Sequence, residues 1–102
     1  MELEKNEKEY ILKYDINRVR MIENTLKKPL FQMVRSGGFS VNELIVLVGY
    51  GLMEKDTYKR MQPKDGIKFA EQLLERKGSY LQLSEMVADA IENDCGFFFP
   101  ED

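Results

Sequence analysis

Ser40-Val41-Asn42-Glu43 dictates what the middle of this chain does. In this pattern the serine oxygen accepts from the N3 amide, and the glutamate reaches back to the N-cap amide, so a helix start is sealed from both sides. Phe39 precedes the box and Leu44 follows it, at the two positions of a hydrophobic staple. The run Ile45-Val46-Leu47-Val48 would otherwise read as a strand by propensity. The box makes it a helix, and apolar residues surround its axis, so the helix belongs at the centre of the domain. Gly49 and Gly51 lie at its far end, with Gly51 expected at C′.

The flanking segments supply the layers around it. Asp15 offers an N-cap. Ile16, Val19, Ile22 and Leu26 follow at helical spacing, with Asn17, Arg18, Glu23 and Lys27 facing away. Lys28-Pro29 ends that helix, and Pro29 can open a short second one over Leu30 to Arg35. Ser36-Gly37-Gly38 breaks the chain again. Residues 53–61 read as one helical turn or a loop, with Tyr58 and Met61 as inward candidates. Pro63 opens a fourth helix with Ile67, Ala70, Leu73 and Leu74 on one face and Lys64, Lys68, Glu71, Glu75 and Arg76 on the other. Gly78 stops it. Ser79 with Gln82 reads as a second capping box, and Leu83, Val87, Ala90 and Ile91 stripe a fifth helix that ends at Gly96.

The expected fold is mainly α, a compact bundle of about five short helices. Tyr10-Ile11-Leu12-Lys13-Tyr14 is a candidate N-terminal β-strand or hairpin arm. Residues 1–9, charged and nearly without apolar side chains, are expected to be flexible. Residues 10–96 form the single domain, and residues 97–102 an aromatic and acidic C-terminal tail.

Missing residue types narrow the chemistry. The chain has no His and one Cys, so serine–histidine and cysteine–histidine nucleophile systems and internal disulfides are excluded, and no catalytic set is expected. Cys95 has Asp94 beside it, which opposes a reactive thiolate. Glu85, Asp89 and Glu92 share one helix face and read as a solvated surface rather than a metal site. No glycine pattern of a phosphate loop is present, and no cofactor or metal is expected.

Charge points the same way. There are 15 Lys and Arg against 18 Asp and Glu, a net −3. The last 18 residues contain six acidic and no basic side chains, so a −6 pole sits on a +3 body. Nucleic-acid binding usually rests on a basic excess. Pro29 to Gly51 has a helix–turn–helix outline, but its second helix would present Leu44 to Val48, which cannot hydrogen-bond base edges. The charged N-terminus has no signal-peptide core, and the longest apolar run, Leu44 to Val48, falls far short of a membrane span. A reducing cytosol is the expected compartment.

Phe97-Phe98-Phe99 is the oddest feature. Three consecutive aromatics cannot all face one core from a regular element. Either the chain folds back so that two of them cap the bundle, or some stand exposed as a binding site. Six methionines suit adaptable surfaces, although Met21, Met33, Met53, Met61 and Met86 also suit core filling.

The order of features from Tyr14 to Gly96 resembles the tail assembly chaperones of long-tailed phages, prophages and gene transfer agent clusters. It consists of Asp15-Ile16-Asn17, Leu26-Lys27-Lys28-Pro29-Leu30, Gly38-Phe39-Ser40, Val41-Asn42-Glu43-Leu44, Gly51-Leu52 and Val87-Ala88-Asp89-Ala90-Ile91. Lys55, Lys59 and Arg60 depart from the acidic and aromatic anchors usual after the glycine–leucine pair. The resemblance implies a non-enzymatic protein that binds the tape measure protein and keeps it soluble until tail tube subunits replace it. It also implies self-association, a bacterial cytoplasmic location, absence from the mature virion, and in many members a longer frameshifted product. Leu30, Phe31, Met33, Phe97, Phe98 and Phe99 are the expected contact residues. A small helical regulator binding DNA or a repressor protein is the competing reading, and a carboxylate–metal enzyme a third.

Overall fold

The computed structural model describes residues 1–100. Its centre is α3 (Val41–Gly51), on which α1 (Ile16–Leu26), α4 (Pro63–Leu74) and α5 (Ser79–Asp94) all pack. α2 (Leu30–Arg35) links α1 to α3. A three-stranded antiparallel sheet, in the order β1 (Leu3–Lys5), β2 (Lys8–Leu12), β3 (Leu52–Glu54), closes one side. A single 3₁₀ turn, Gly96–Phe98, follows α5. The mainly helical architecture is the expected one, with a third strand added.

The capping box forms as the sequence requires. Ser40 Oγ accepts from the Glu43 amide at 3.0 Å, and the Glu43 carboxylate accepts from the Ser40 amide at 2.7 Å. Lys28 pairs with the other carboxylate oxygen, tying the α1–α2 connection to the start of α3. Lys28 and the Ser40 amide together hold the buried Glu43 carboxyl below its ordinary range. A carboxyl depressed in the folded state stabilises it above the unfolded pKa, and that contribution is lost as acid protonates the group. Glu43→Gln is therefore expected to cost about 1 kcal/mol at neutral pH and to flatten the loss of stability below about pH 4.5. Urea melts of both proteins across that range check it.

Two glycines set the closeness of α3 and α4. A Cβ on Gly66 would fall 2.2 Å from the Gly49 carbonyl oxygen, and one on Gly49 would fall 2.9 Å from Ile67. The helix backbones touch at this crossing. Gly51 is not the left-handed C′ residue that the sequence suggested. It is the last residue of α3, and the chain leaves through an extended Leu52. Its lack of a side chain admits the Tyr14 ring, which a Cβ would meet at 2.7 Å.

Four further differences have local causes. Residues 1–9, expected to be flexible, contain β1 and the start of β2. Asn6 and Glu7 both take positive φ, as a two-residue hairpin turn between Lys5 and Lys8 demands, and buried Leu3 anchors the strand opposite Tyr10. Residues 53–61 hold β3 and a return bridge from Met53 to Arg60, because the extended exit of α3 delivers Leu52 beside Leu12. Tyr58, an inward candidate, is 70% exposed at positive φ in this turn. Ser79 forms no capping box. Gly78 takes the N-cap position at φ 78°, and the Ser79 hydroxyl donates to the Leu74 carbonyl at 3.0 Å, satisfying the open end of α4.

Candidate functional site

The end of α5 is held by a polar knot built around the buried Tyr14 side chain. The Asp94 carboxylate accepts from the Tyr14 amide at 3.0 Å and from Lys13 Nζ at 2.9 Å. The buried Tyr14 hydroxyl donates to the Leu47 carbonyl at 2.7 Å, and burial pushes its pKa up, so it stays protonated. Arg60 donates to the carbonyls of Lys13 and Gly51 and to the Asp15 carboxylate. The Asp15 carboxyl, which caps α1 by accepting from the Arg18 amide at 2.8 Å, is lowered chiefly by that bond. This knot fixes where the chain goes after α5, and so where the phenylalanines stand.

Cys95 follows Asp94 and is fully buried. Burial, with Asp94 and Asp15 adding to it, pushes its thiol up to about 11. A thiol so placed stays protonated at neutral pH and is a poor nucleophile.

The 3₁₀ turn then brings three aromatics together. The Phe97 and Phe98 ring centroids are 4.8 Å apart, and Phe98 and Phe31 of α2 are 5.7 Å apart. Arg35, one turn after Phe31, lies over its ring at 5.5 Å. Phe98 is half-buried against the core, whereas Phe97 is 54% and Phe99 40% exposed. Of the two alternatives for the triple phenylalanine, the exposed one is closer: Phe98 alone packs on the bundle, where two capping rings were the other expectation, and Phe97 and Phe99 face outward. Glu101 and Asp102 of the expected tail lie outside the described residues.

Two of the expected contact residues do not belong to this surface. Leu30 is fully buried and Met33 is 2% exposed. In a six-residue helix, positions i, i+3 and i+4 share one face. Leu30, Met33 and Val34 therefore turn to the core, while Phe31 and Arg35 turn outward. The α2 N-terminus is capped by Glu23, whose carboxylate accepts from the Leu30 amide at 2.8 Å, which locks that orientation. Leu30 and Met33 are corrected to core residues.

The sequence reading also missed one member. Ile16, placed on the inner stripe of α1, is 59% exposed and lines the same shallow depression as Phe97, between Tyr14 and Asp94. It is the first helical residue after the Asp15 N-cap, and a first-turn side chain projects beyond the end of the core. That position was the available signal. Ile16, Phe97, Phe98 and Phe31 form one apolar ridge.

Other functional readings find less. Among the described residues, no group of three or more Cys, Asp and Glu side chains could hold a metal ion. Glu85, Asp89 and Glu92 are exposed. α3, the second helix of the helix–turn–helix outline, is buried over Leu44 and Val46 to Gly49 and cannot lie in a DNA groove. Among the described residues, no helix is long and apolar enough to cross a membrane. No protein-family model, curated protein or solved structure matches the chain.

Proposed function

We propose that this protein is a non-enzymatic tail assembly chaperone that binds the tape measure protein and keeps it soluble in the host cytoplasm until tail tube subunits take its place. The observation that carries the reading is the ridge in which exposed Ile16 and Phe97 adjoin half-buried Phe98 and Phe31, leaving apolar surface in water beside clustered aromatic rings. Clustered exposed aromatics are the usual anchors of a protein interface. The client that the resemblance implies is long and hydrophobic, and a helical segment of such a client binds by placing its apolar stripe against a ridge or groove. The order of sequence features from Asp15 to Ile91 supports the same assignment. On this reading the protein acts before the virion is complete and leaves it.

Co-expression tests it. The tape measure protein should move from the insoluble to the soluble fraction when this chain is present, and the two should purify together. An unchanged soluble fraction with no co-purification would refute the assignment.

A further inference from the structure

A second surface lies on the other flank of α5. A groove of about 590 Å³ runs between β2 and α5. Tyr10, Ile11, Met86 and Ala90, each half-buried, give it an apolar floor. Its charged lining is Glu2, Glu9, Asp89 and Asp94 against Lys13, Lys55 and the Met1 amine, an acidic excess of one that the exposed face of α5 extends. Glu2 and Asp89 line it, and Glu85 and Glu92 lie one turn either side of Asp89 on the exposed face of α5. α5 contains no Lys or Arg at all. The two lysines on the groove wall are already neutralised, Lys13 by Asp94 at 2.9 Å and Lys55 by Glu9 at 3.4 Å. Among the described residues, Glu2, Glu85, Asp89 and Glu92 make no ion pair.

An apolar floor between uncompensated carboxylates selects its occupant by charge. Nucleic acid and anionic lipid are repelled. A helix with one apolar stripe flanked by Lys or Arg satisfies both parts, the stripe covering Ile11, Met86 and Ala90 and the basic side chains meeting the α5 carboxylates. We infer that the β2–α5 groove is a docking site for a cationic amphipathic helix. It adjoins the aromatic ridge only at Asp94, and the inference goes beyond the chaperone reading and stands without it.

The probe is a labelled leucine–lysine peptide of about 16 residues, long enough to run beside α5, with leucines at i, i+3, i+4 and i+7. It is titrated into the intact protein and followed by anisotropy and by amide chemical shifts. Shifts should gather on residues 8–13 and 82–94, and binding should weaken as salt rises. Glu85→Lys/Asp89→Lys/Glu92→Lys alters only exposed positions, so circular dichroism should be unchanged while affinity falls about tenfold or more. Phe97→Ser/Phe99→Ser should leave affinity unaltered, which separates this site from the ridge. A lysine–serine peptide lacking the apolar stripe should bind about tenfold or more weakly. Equal binding of that peptide, shifts centred on α2 and the 3₁₀ turn, or undiminished affinity in the charge-reversed variant would each overturn the inference.

Discussion

Gly66→Ala is expected to remove about 3 kcal/mol or more of folding stability, at the upper end of what added methyl groups do in packed interiors. The new Cβ would lie 2.2 Å from the Gly49 carbonyl oxygen, which is backbone and cannot swing aside. Only a shift of α4 against α3 relieves the clash, and that shift opens the contacts of buried Phe69, Ala70 and Leu73. Domains of this size have about 5–15 kcal/mol in total, so the variant should keep only part of that margin and melt about 10 °C or more below the parent. Gly38→Ala is the matched control, because a Cβ there meets nothing within 4 Å and its φ is not positive. Urea melts should separate the two variants clearly. A Gly66→Ala midpoint within experimental error of the parent would show that the α3–α4 crossing is not backbone-tight.

Leu30→Ala and Phe97→Ser should part in the opposite sense from that expected of two residues in one binding patch. Leu30 is fully buried, and its truncation is expected to cost about 2–5 kcal/mol, a transfer loss plus a cavity. At about 4–8 °C per kcal/mol for a domain of this size, the melting temperature should fall by about 10 °C or more. Phe97 is 54% exposed, and removing it should change stability by no more than about 0.5 kcal/mol. Its effect should appear in client binding instead. Thermal melts of the two variants, read beside co-purification of the client, distinguish core from surface. A large stability loss on Phe97→Ser would return the triple phenylalanine to the core.

The helices were legible because their signals are local. Asp15, the Ser40–Glu43 box and Pro63 each act within one turn of the helix they start, and each does so in the structure. What was missed depends on distant partners. β3 exists because Leu52 meets Leu12 across 40 positions of sequence, and nothing in Leu52-Met53-Glu54 alone announces a strand. The Ser79 hydroxyl matched a capping pattern but was taken by the Leu74 carbonyl of the preceding helix. Gly66 sits inside a helix, where its absence of side chain has meaning only once Gly49 is opposite. For the ridge, residue type pointed to Phe31, Phe97 and Phe98, but helix phase decided which neighbours joined them. Leu30 and Met33 rotated inward, and Ile16, as a first-turn residue, stayed outside.

The polar knot at Asp94 gives the ridge a defined position rather than a loose tail. Asp94 bonds the Tyr14 amide and Lys13, and the 3₁₀ turn begins two residues later. Phe97 and Phe98 therefore leave from an anchored backbone, with the Phe98 ring against Phe31 and the Phe97 ring against Phe98, and no long segment has to be ordered on binding. Preorganised aromatics retain more of their contact energy as affinity than mobile ones do.

The central proposal is that this ridge is the surface the client covers. Hydrogen exchange of the protein co-purified with a tape measure protein, compared with the protein alone, tests it most directly. The expected result is slowed exchange at amides of residues 30–35 and 96–99, and its loss with Phe31→Ser/Phe97→Ser/Phe98→Ser. Unchanged exchange at both segments in a complex that still forms would contradict it.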